Sequence, residues 1–176
     1  MRTDRCTHHV VALPFALIAC LFVQACAGQP DEPSAATGAA PKVIVIIGDG
    51  MDDQQITIAR NYLVGSGGRL TLDDLPFRGA VQVQTVDEDD PRQPVYVADS
   101  ANTATTLATG ELTSTGRIAT RAGTGEGVVT IMELARAAGL STGIVTTSSL
   151  TDATPAAFVA HVDQRYCQGP VDIARG

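Results

Sequence analysis

The sequence predicts an α/β fold with a mostly parallel sheet flanked by helices, and three observations predict it. Residues 43–47 (Val-Ile-Val-Ile-Ile) and 142–147 (Thr-Gly-Ile-Val-Thr-Thr) are apolar, β-branched runs of the kind used by parallel strands buried on both faces. Between them lie segments whose apolar residues recur at helical spacing. Glycine or proline marks most changes of pattern, and strand and helix alternate along the chain, as α/β sheets require.

Composition agrees with a folded domain. Of 176 residues, 44% are hydrophobic and 18% charged, which is too apolar for intrinsic disorder. The formal net charge of -7 excludes the basic footprint of a nucleic-acid binder, but leaves room for a small anion held by local cations.

Residues 1–26 read as an export signal: Arg2 and Arg5 precede an uncharged run over 10–23 that ends in small residues. A bilayer span needs about 20 apolar residues, so this run is short for a stable anchor. Two exits from the leader fit equally. Val23-Gln24-Ala25-Cys26 resembles the lipobox of bacterial lipoproteins, which makes Cys26 a lipidation candidate, and Leu17-Ile18-Ala19-Cys20 is an earlier match; Ala25-Cys26-Ala27 suits ordinary cleavage before Gly28. The expected location is therefore periplasmic, either soluble or membrane-anchored. Residues 27–41, rich in Ala, Pro, Gly and acid, read as a flexible tether. Cys6, Cys20 and Cys26 lie in the leader or at its edge, so Cys167 is the only cysteine of the body (42–176); it fits a buried small hydrophobe or, the favoured expectation, half of a disulfide whose partner is missing from this chain.

Within the body, Gly48-Asp49-Gly50 ends the first strand. Ile56, Ala59, Tyr62 and Leu63 mark a helix closed by the glycines at 65–68. Residues 79–86 alternate as a strand, and 87–94 form a charged, proline-bounded loop. Residues 99–109 are small and Thr/Ala-rich, with Gly110 as a helix stop, and 116–127 form a glycine-rich connection. Residues 128–138 predict an amphipathic helix and 155–162 a helix with proline in its first turn.

Ligands of open α/β sheets bind beyond the carboxyl ends of strands. That rule directs attention to Asp49, where flanking glycines let a hard cation or a phosphate approach the backbone, although an Asp cap in a tight turn explains the same residues. Ser100 at a helix N-terminus would meet free amides and a positive dipole end, which suit an alkoxide or a bound phosphate, but Asp99 or Ser100 also fits a plain N-cap. Asp152 and Thr154 place small oxygen groups after the second strand. Arg165 has the guanidinium fork that grips two phosphate oxygens. His161 reads as a packing or surface residue rather than a ligand.

Together these segments resemble the alkaline phosphatase family, close to its bacterial periplasmic type. The resemblance runs from about Val43 to Pro170. It rests on Ile46-Ile47-Gly48-Asp49-Gly50-Met51, on Ile56-Thr57-Ile58-Ala59-Arg60-Asn61-Tyr62, and on Asp99-Ser100-Ala101 with the Thr-rich run to Gly110. It rests also on Thr130-Ile131-Met132-Glu133 through Ala137-Ala138-Gly139-Leu140, on Asp152-Ala153-Thr154-Pro155-Ala156-Ala157, and on Ala160-His161-Val162 leading to Arg165, Cys167, Gly169 and Pro170. The resemblance implies zinc and magnesium as cofactors and Asp49 as the carboxylate shared between them. It makes Ser100 a metal-contacting nucleophile that becomes phosphorylated, Thr154 a magnesium ligand, Asp152 a residue that orders water around that ion, and Arg165 the phosphate clamp. The implied substrates are small phosphomonoesters, and the family commonly forms homodimers. Where the family usually has glycine after Gly-Asp-Gly-Met, this chain has Asp52, which fits either a helix N-cap or a perturbation of the magnesium side.

Two zincs and a magnesium need more ligands than this body offers, because its only histidine is His161. The expectation is an amino-terminal portion, incomplete at the carboxyl end, of a longer phosphatase whose remaining ligands come from a missing carboxyl-terminal half. The alternatives are an exported non-catalytic phosphate-binding or surface protein, and a phosphodiesterase or sulfatase of the same superfamily. The 176 residues on their own are expected to hydrolyse no phosphomonoester with zinc and magnesium present; turnover that Ser100→Ala abolishes would overturn this.

Overall fold

The computed structural model describes residues 42–173; the leader, the tether and Cys26 lie outside the described residues. The chain divides into two compact units, with residues 49–173 in one and 42–48 in the other. The elements in order are α1 (Asp53–Val64), a single 3₁₀ turn (Thr71–Asp74), β1 (Thr85–Val86), β2 (Pro94–Val95), α2 (Ser100–Thr109), α3 (Ile131–Ala137), α4 (Ala153–Ala156) and α5 (Pro170–Ile173).

Side-chain caps set most of the helix starts. Asp52 precedes α1 and accepts hydrogen bonds from the Gln54 and Gln55 backbone N–H groups, while the Gln55 side chain accepts from the Asp52 N–H. Asp52 is therefore a helix N-cap, one of the two roles its sequence position left open. Thr130 and Glu133 make the same reciprocal arrangement at α3. Gly110 ends α2 in the left-handed conformation, and its N–H donates to the Thr106 carbonyl. Helix α4 starts at Ala153, two residues before the expected helix, because Asp152 caps it, and it closes at Ala156.

The expected parallel sheet is not built among the described residues. β1 and β2 pair antiparallel, Thr85 opposite Val95, and the acidic loop at 87–93 joins them. Residues 43–47 and 142–147 form no ladder, and their large side chains lie open: Ile46 is 89% exposed and Val145 fully so. A strand owes its stability to the strands beside it, so an apolar run without them remains bare.

What is buried instead is small and polar. Helix α2 packs on α4 through Ala101, Ala104, Ala153, Ala156 and Ala157, with Ile118 against them. Alanines allow close approach of the two helices, but each buried methyl contributes only about 0.8 kcal/mol. The largest fully buried side chains are Asn102, Thr85, Thr105, Thr113 and Thr130. Each is hydrogen-bonded across the chain: Thr85 Oγ1 donates to the Thr113 carbonyl (3.0 Å), Thr113 to Thr120 (2.7 Å), Thr130 to Phe158 (2.9 Å), and Asn102 Nδ2 to Gln84 (3.4 Å). Thr105 Oγ1 donates to the Arg117 carbonyl at 3.0 Å and accepts from the Ala119 N–H at 2.9 Å, fixing α2 to the segment at 117–119.

Beside this interior, Arg117 pairs with Glu88 and with Asp163 (2.8 Å), and Ser114 donates to Glu88. Burial raises the Glu88 pKa, but Arg117 and Ser114 outweigh it and hold the carboxyl at about 2. Replacing Thr105 by the near-isosteric valine leaves the Ala119 N–H and the Arg117 carbonyl without their buried partner. The expected loss is about 2 kcal/mol of unfolding free energy, read as a lower urea midpoint with an unchanged m-value.

Candidate active site

The Thr/Ala-rich sequence at 100–109 is a mediocre helix former, and its start depends on Asp99. Asp99 is the N-cap of α2: its Oδ1 accepts from the Asn102 N–H at 3.0 Å, and the Asn102 Oδ1 accepts from the Asp99 N–H at 2.8 Å. Ser100 consequently occupies the first helical position, at the positive end of a ten-residue helix.

Arg165 is brought to Ser100 by pairing remote in sequence. Ile118 and Val162 exchange backbone hydrogen bonds at 2.9 Å, and the Arg165 N–H donates to the Gly116 carbonyl at 2.7 Å. Gly116 has φ of +85°, which glycine adopts without strain, and a Cβ there would lie 2.9 Å from Gln164 Oε1. Its N–H donates to Asp99 Oδ2 at 3.2 Å. Arg165 Nη1 donates to Ser100 Oγ at 2.9 Å and to Asp99 Oδ2 at 3.2 Å, and Nη2 reaches Asp152 Oδ1 at 3.4 Å. The guanidinium carbon also lies 5.9 Å from the centroid of the Tyr166 ring.

Asp49 and Thr154 form the other half of the arrangement. Thr154 Oγ1 donates to Asp49 Oδ2 at 2.9 Å across a separation of 105 residues. Asp152 caps α4 and Thr154 lies within it, so this short helix joins the two groups of side chains. Asp49, Ser100, Asp152, Thr154 and Arg165 are thus all engaged in these contacts. His161 stands apart, bound to Ala119 and Glu133. Cys167 is disulfide-bonded within this chain, so the expectation of a partner missing from it does not hold.

Sequence reasoning named Asp99 as a cap but missed that its carboxylate also holds Gly116 and Arg165. The Asp99-x-x-Asn102 spacing carries the capping signal; nothing local announces the other two contacts. Chemically, a hydroxyl, a guanidinium fork and a helix N-terminus suit a phosphoryl group. The carboxylate and hydroxyl of Asp49 and Thr154 fit part of the oxygen shell of a hard cation such as magnesium. Among the described residues no three His, Cys, Asp or Glu side chains converge as a metal site, so those residues alone do not fit a zinc centre with its three protein ligands.

The alkaline phosphatase family profile matches residues 40–175. The chain belongs to the alkaline phosphatase family. It is 51% identical over 140 residues to the streptomycin-6-phosphate phosphatase of Streptomyces griseus, covering 78% of this chain and 31% of that protein. It is 46% identical over 132 residues to the alkaline phosphatase of Escherichia coli strain K12, covering 74% of this chain and 28% of that one. Among solved structures it resembles the alkaline phosphatase of the Antarctic bacterium TAB5, with a TM-score of 0.59 and 29% identity over 73% of this chain and 35% of that one. The cold-active alkaline phosphatase of a psychrophilic Shewanella is similar, with a TM-score of 0.55 and 32% identity over 68% of this chain and 29% of that one. A variant of the TAB5 enzyme, at a TM-score of 0.52 and 29% identity over 68% of this chain and 32% of that one, is described with magnesium bound in its M3 site. The chain therefore spans about a third of the length of the relatives it matches.

Asparagine caps a helix as well as aspartate does, whereas alanine does not. In this chain Asp99→Ala should lower unfolding stability by about 1 kcal/mol, and Asp99→Asn by much less while still removing the charge beside Arg165. Equal losses from the two substitutions, measured by urea denaturation, would contradict the capping role.

Proposed function

We propose that this chain forms part of a metal-dependent phosphomonoester hydrolase that works through a phosphoserine intermediate, with Ser100 as nucleophile and Arg165 as phosphate clamp. The observation that carries the reading is the 2.9 Å contact of Arg165 Nη1 with Ser100 Oγ at the start of α2. It sets the guanidinium fork directly beside the hydroxyl, the pair of groups that a phosphoryl acceptor and its clamp require.

Ser100 Oγ, deprotonated, attacks phosphorus in line with the leaving alcohol. The P–O bond to the alcohol breaks, and that oxygen takes up a proton. Arg165 trades its contacts with Ser100 and Asp152 for two phosphoryl oxygens and holds them through the transfer. Water then attacks the phosphoserine, the Oγ–P bond breaks, and inorganic phosphate leaves. The amide end of α2 favours negative charge on Ser100 Oγ in both steps. Asp49 and Thr154 would hold magnesium, Asp152 would order water beside it, and Asp49 would be shared with zinc. The bound cations would lower the pKa of the serine hydroxyl and offset charge on the phosphoryl oxygens.

The remaining ligands belong, on this reading, to further chain. The incomplete donor set and the relatives' greater length support that. Pairing of the bare runs at 43–47 and 142–147 in a parallel sheet, export to the periplasm by the leader, with or without a lipid on Cys26, and a homodimer belong to the same proposal.

The test uses the product of the full reading frame with zinc and magnesium. Turnover of p-nitrophenyl phosphate should fall by about a thousandfold or more on Ser100→Ala, and acid quenching of labelled substrate should leave phosphate on Ser100. Streptomycin 6-phosphate belongs in the substrate panel because a relative is named for it. A Ser100→Ala protein with undiminished turnover, or label on another residue, would overturn the reading.

A further inference from the structure

His161 lies outside the group around Ser100, yet both of its ring nitrogens face acceptors. Nδ1 is 2.9 Å from the Ala119 carbonyl oxygen and Nε2 is 3.0 Å from Glu133 Oε1. A neutral imidazole has one N–H and one lone pair, so it satisfies one of these oxygens and aims its lone pair at the other. An imidazolium donates to both. The ring has a fitted seat, since a Cβ on Gly127 would lie 3.3 Å from Nδ1.

The seat is next to the segment that places Arg165. Ala119 is buried and has φ of +43°, the one non-glycine residue with positive φ among the described residues. It adjoins Ile118, whose backbone pairs with Val162, and the chain bends at Asp163 before Arg165, three residues on. The hydrogen bond from His161 to Ala119 therefore adds a second tie between these two segments, and Glu133 fixes the far side of the ring to α3.

We propose that His161 is held as an imidazolium between Ala119 and Glu133 and is a positioning residue for Arg165, so that loss of this proton loosens the phosphate clamp. The positioning role rests on the reading of Arg165 as that clamp. Of the charged groups on the segments packed around the ring, Glu133 faces it directly. Arg117 and Asp163 pair with each other and Arg117 also with Glu88, while Arg121 pairs with Glu111 and Glu126. Burial lowers the His161 pKa, but the Ala119 carbonyl and the Glu133 carboxylate outweigh it and raise the pKa above the ordinary 6.5. A raised folded-state pKa stabilises the folded arrangement fully below the ordinary value, and this stabilisation is lost as pH rises through the folded one. The clamp is therefore tightest on the acid side.

The experiment uses the full-length protein. The His161 ring signal, assigned by its loss in His161→Gln, is titrated by NMR, and inorganic phosphate binding is measured by calorimetry, which needs no turnover. The His161 midpoint should lie above 6.5 and fall by about half a unit in Glu133→Gln, the scale of a part-exposed ion pair. The dissociation constant of His161→Gln divided by that of the wild type cancels phosphate's own protonation. It should be about three near pH 6 and approach one above the His161 midpoint. A midpoint at or below 6.5, or one that Glu133→Gln does not move, overturns the imidazolium. A ratio that does not vary with pH overturns the positioning role. If the wild-type protein binds no phosphate at any pH, the clamp reading fails and the positioning role with it, whereas the NMR midpoint still decides the charge on the ring.

Discussion

The Asp99 carboxylate is the interaction on which the rest of the site depends. It starts α2 by capping the Asn102 N–H, holds the loop at Gly116, and pairs with Arg165. A single carboxylate thus fixes the nucleophile candidate, the turn opposite it and the cation above it. Removing its charge while keeping its cap separates these functions, because capping needs an oxygen acceptor and the pairing with Arg165 draws on charge. The other ties to the site, the Ile118–Val162 bridge and the Arg117–Asp163 pair, bring whole segments together rather than individual atoms of the site.

Threonine hydroxyls hold the interior around this carboxylate because the helices there bury little more than alanine methyls. Thr85, Thr105, Thr113 and Thr130 each bond to a backbone carbonyl, linking elements up to 28 residues apart. Such bonds are directional, so they fix the register of α2 against the 117–120 segment in a way that a purely apolar contact of the same size would not. The large apolar side chains lie elsewhere, on residues 43–47 and 142–147 and along α1, where they face solvent. Alanines and threonines therefore lie inside around Ile118 while the large apolar side chains of 43–47 lie outside, an arrangement that accords with the proposed pairing of those bare runs in a sheet.

The capping chemistry that starts helices was the most legible part of the sequence because it depends on neighbours two or three residues away, although the helices expected at 128–138 and 155–162 are shorter, at Ile131–Ala137 and Ala153–Ala156. Asp52 and Asp99 cap the helices that their positions suggested, and the structure adds Thr130 and Asp152 as caps of α3 and α4. Strands were less legible. The runs at 43–47 and 142–147 have the right composition, but composition supplies no partner, and β2 at Pro94–Val95 follows from its pairing with β1 rather than from its own residues. Among the candidate site residues, Asp49 and Ser100 were marked by glycine punctuation and a helix start. Arg165 was less distinctive, since an arginine in a polar turn is usually solvated, and its meeting with Ser100 requires the backbone bridge at 118 and 162. Motif order across the family carried that information where local physics did not.

The geometry around Arg165 also bears on turnover. Two carboxylates, Asp99 at 3.2 Å and Asp152 at 3.4 Å, already occupy the guanidinium. If Arg165 is the clamp proposed above, an entering phosphomonoester dianion competes with them, so part of the attraction between cation and phosphate is offset before the substrate arrives. On that reading the same competition would act on inorganic phosphate and speed its exit. A bare arginine would bind substrate, transition state and product alike more tightly, which lowers the concentration needed for saturation without accelerating the chemical step. Acidic neighbours aim the fork and, on the proposed clamp role of Arg165, limit ground-state affinity at the same time, as a site that must release its product requires.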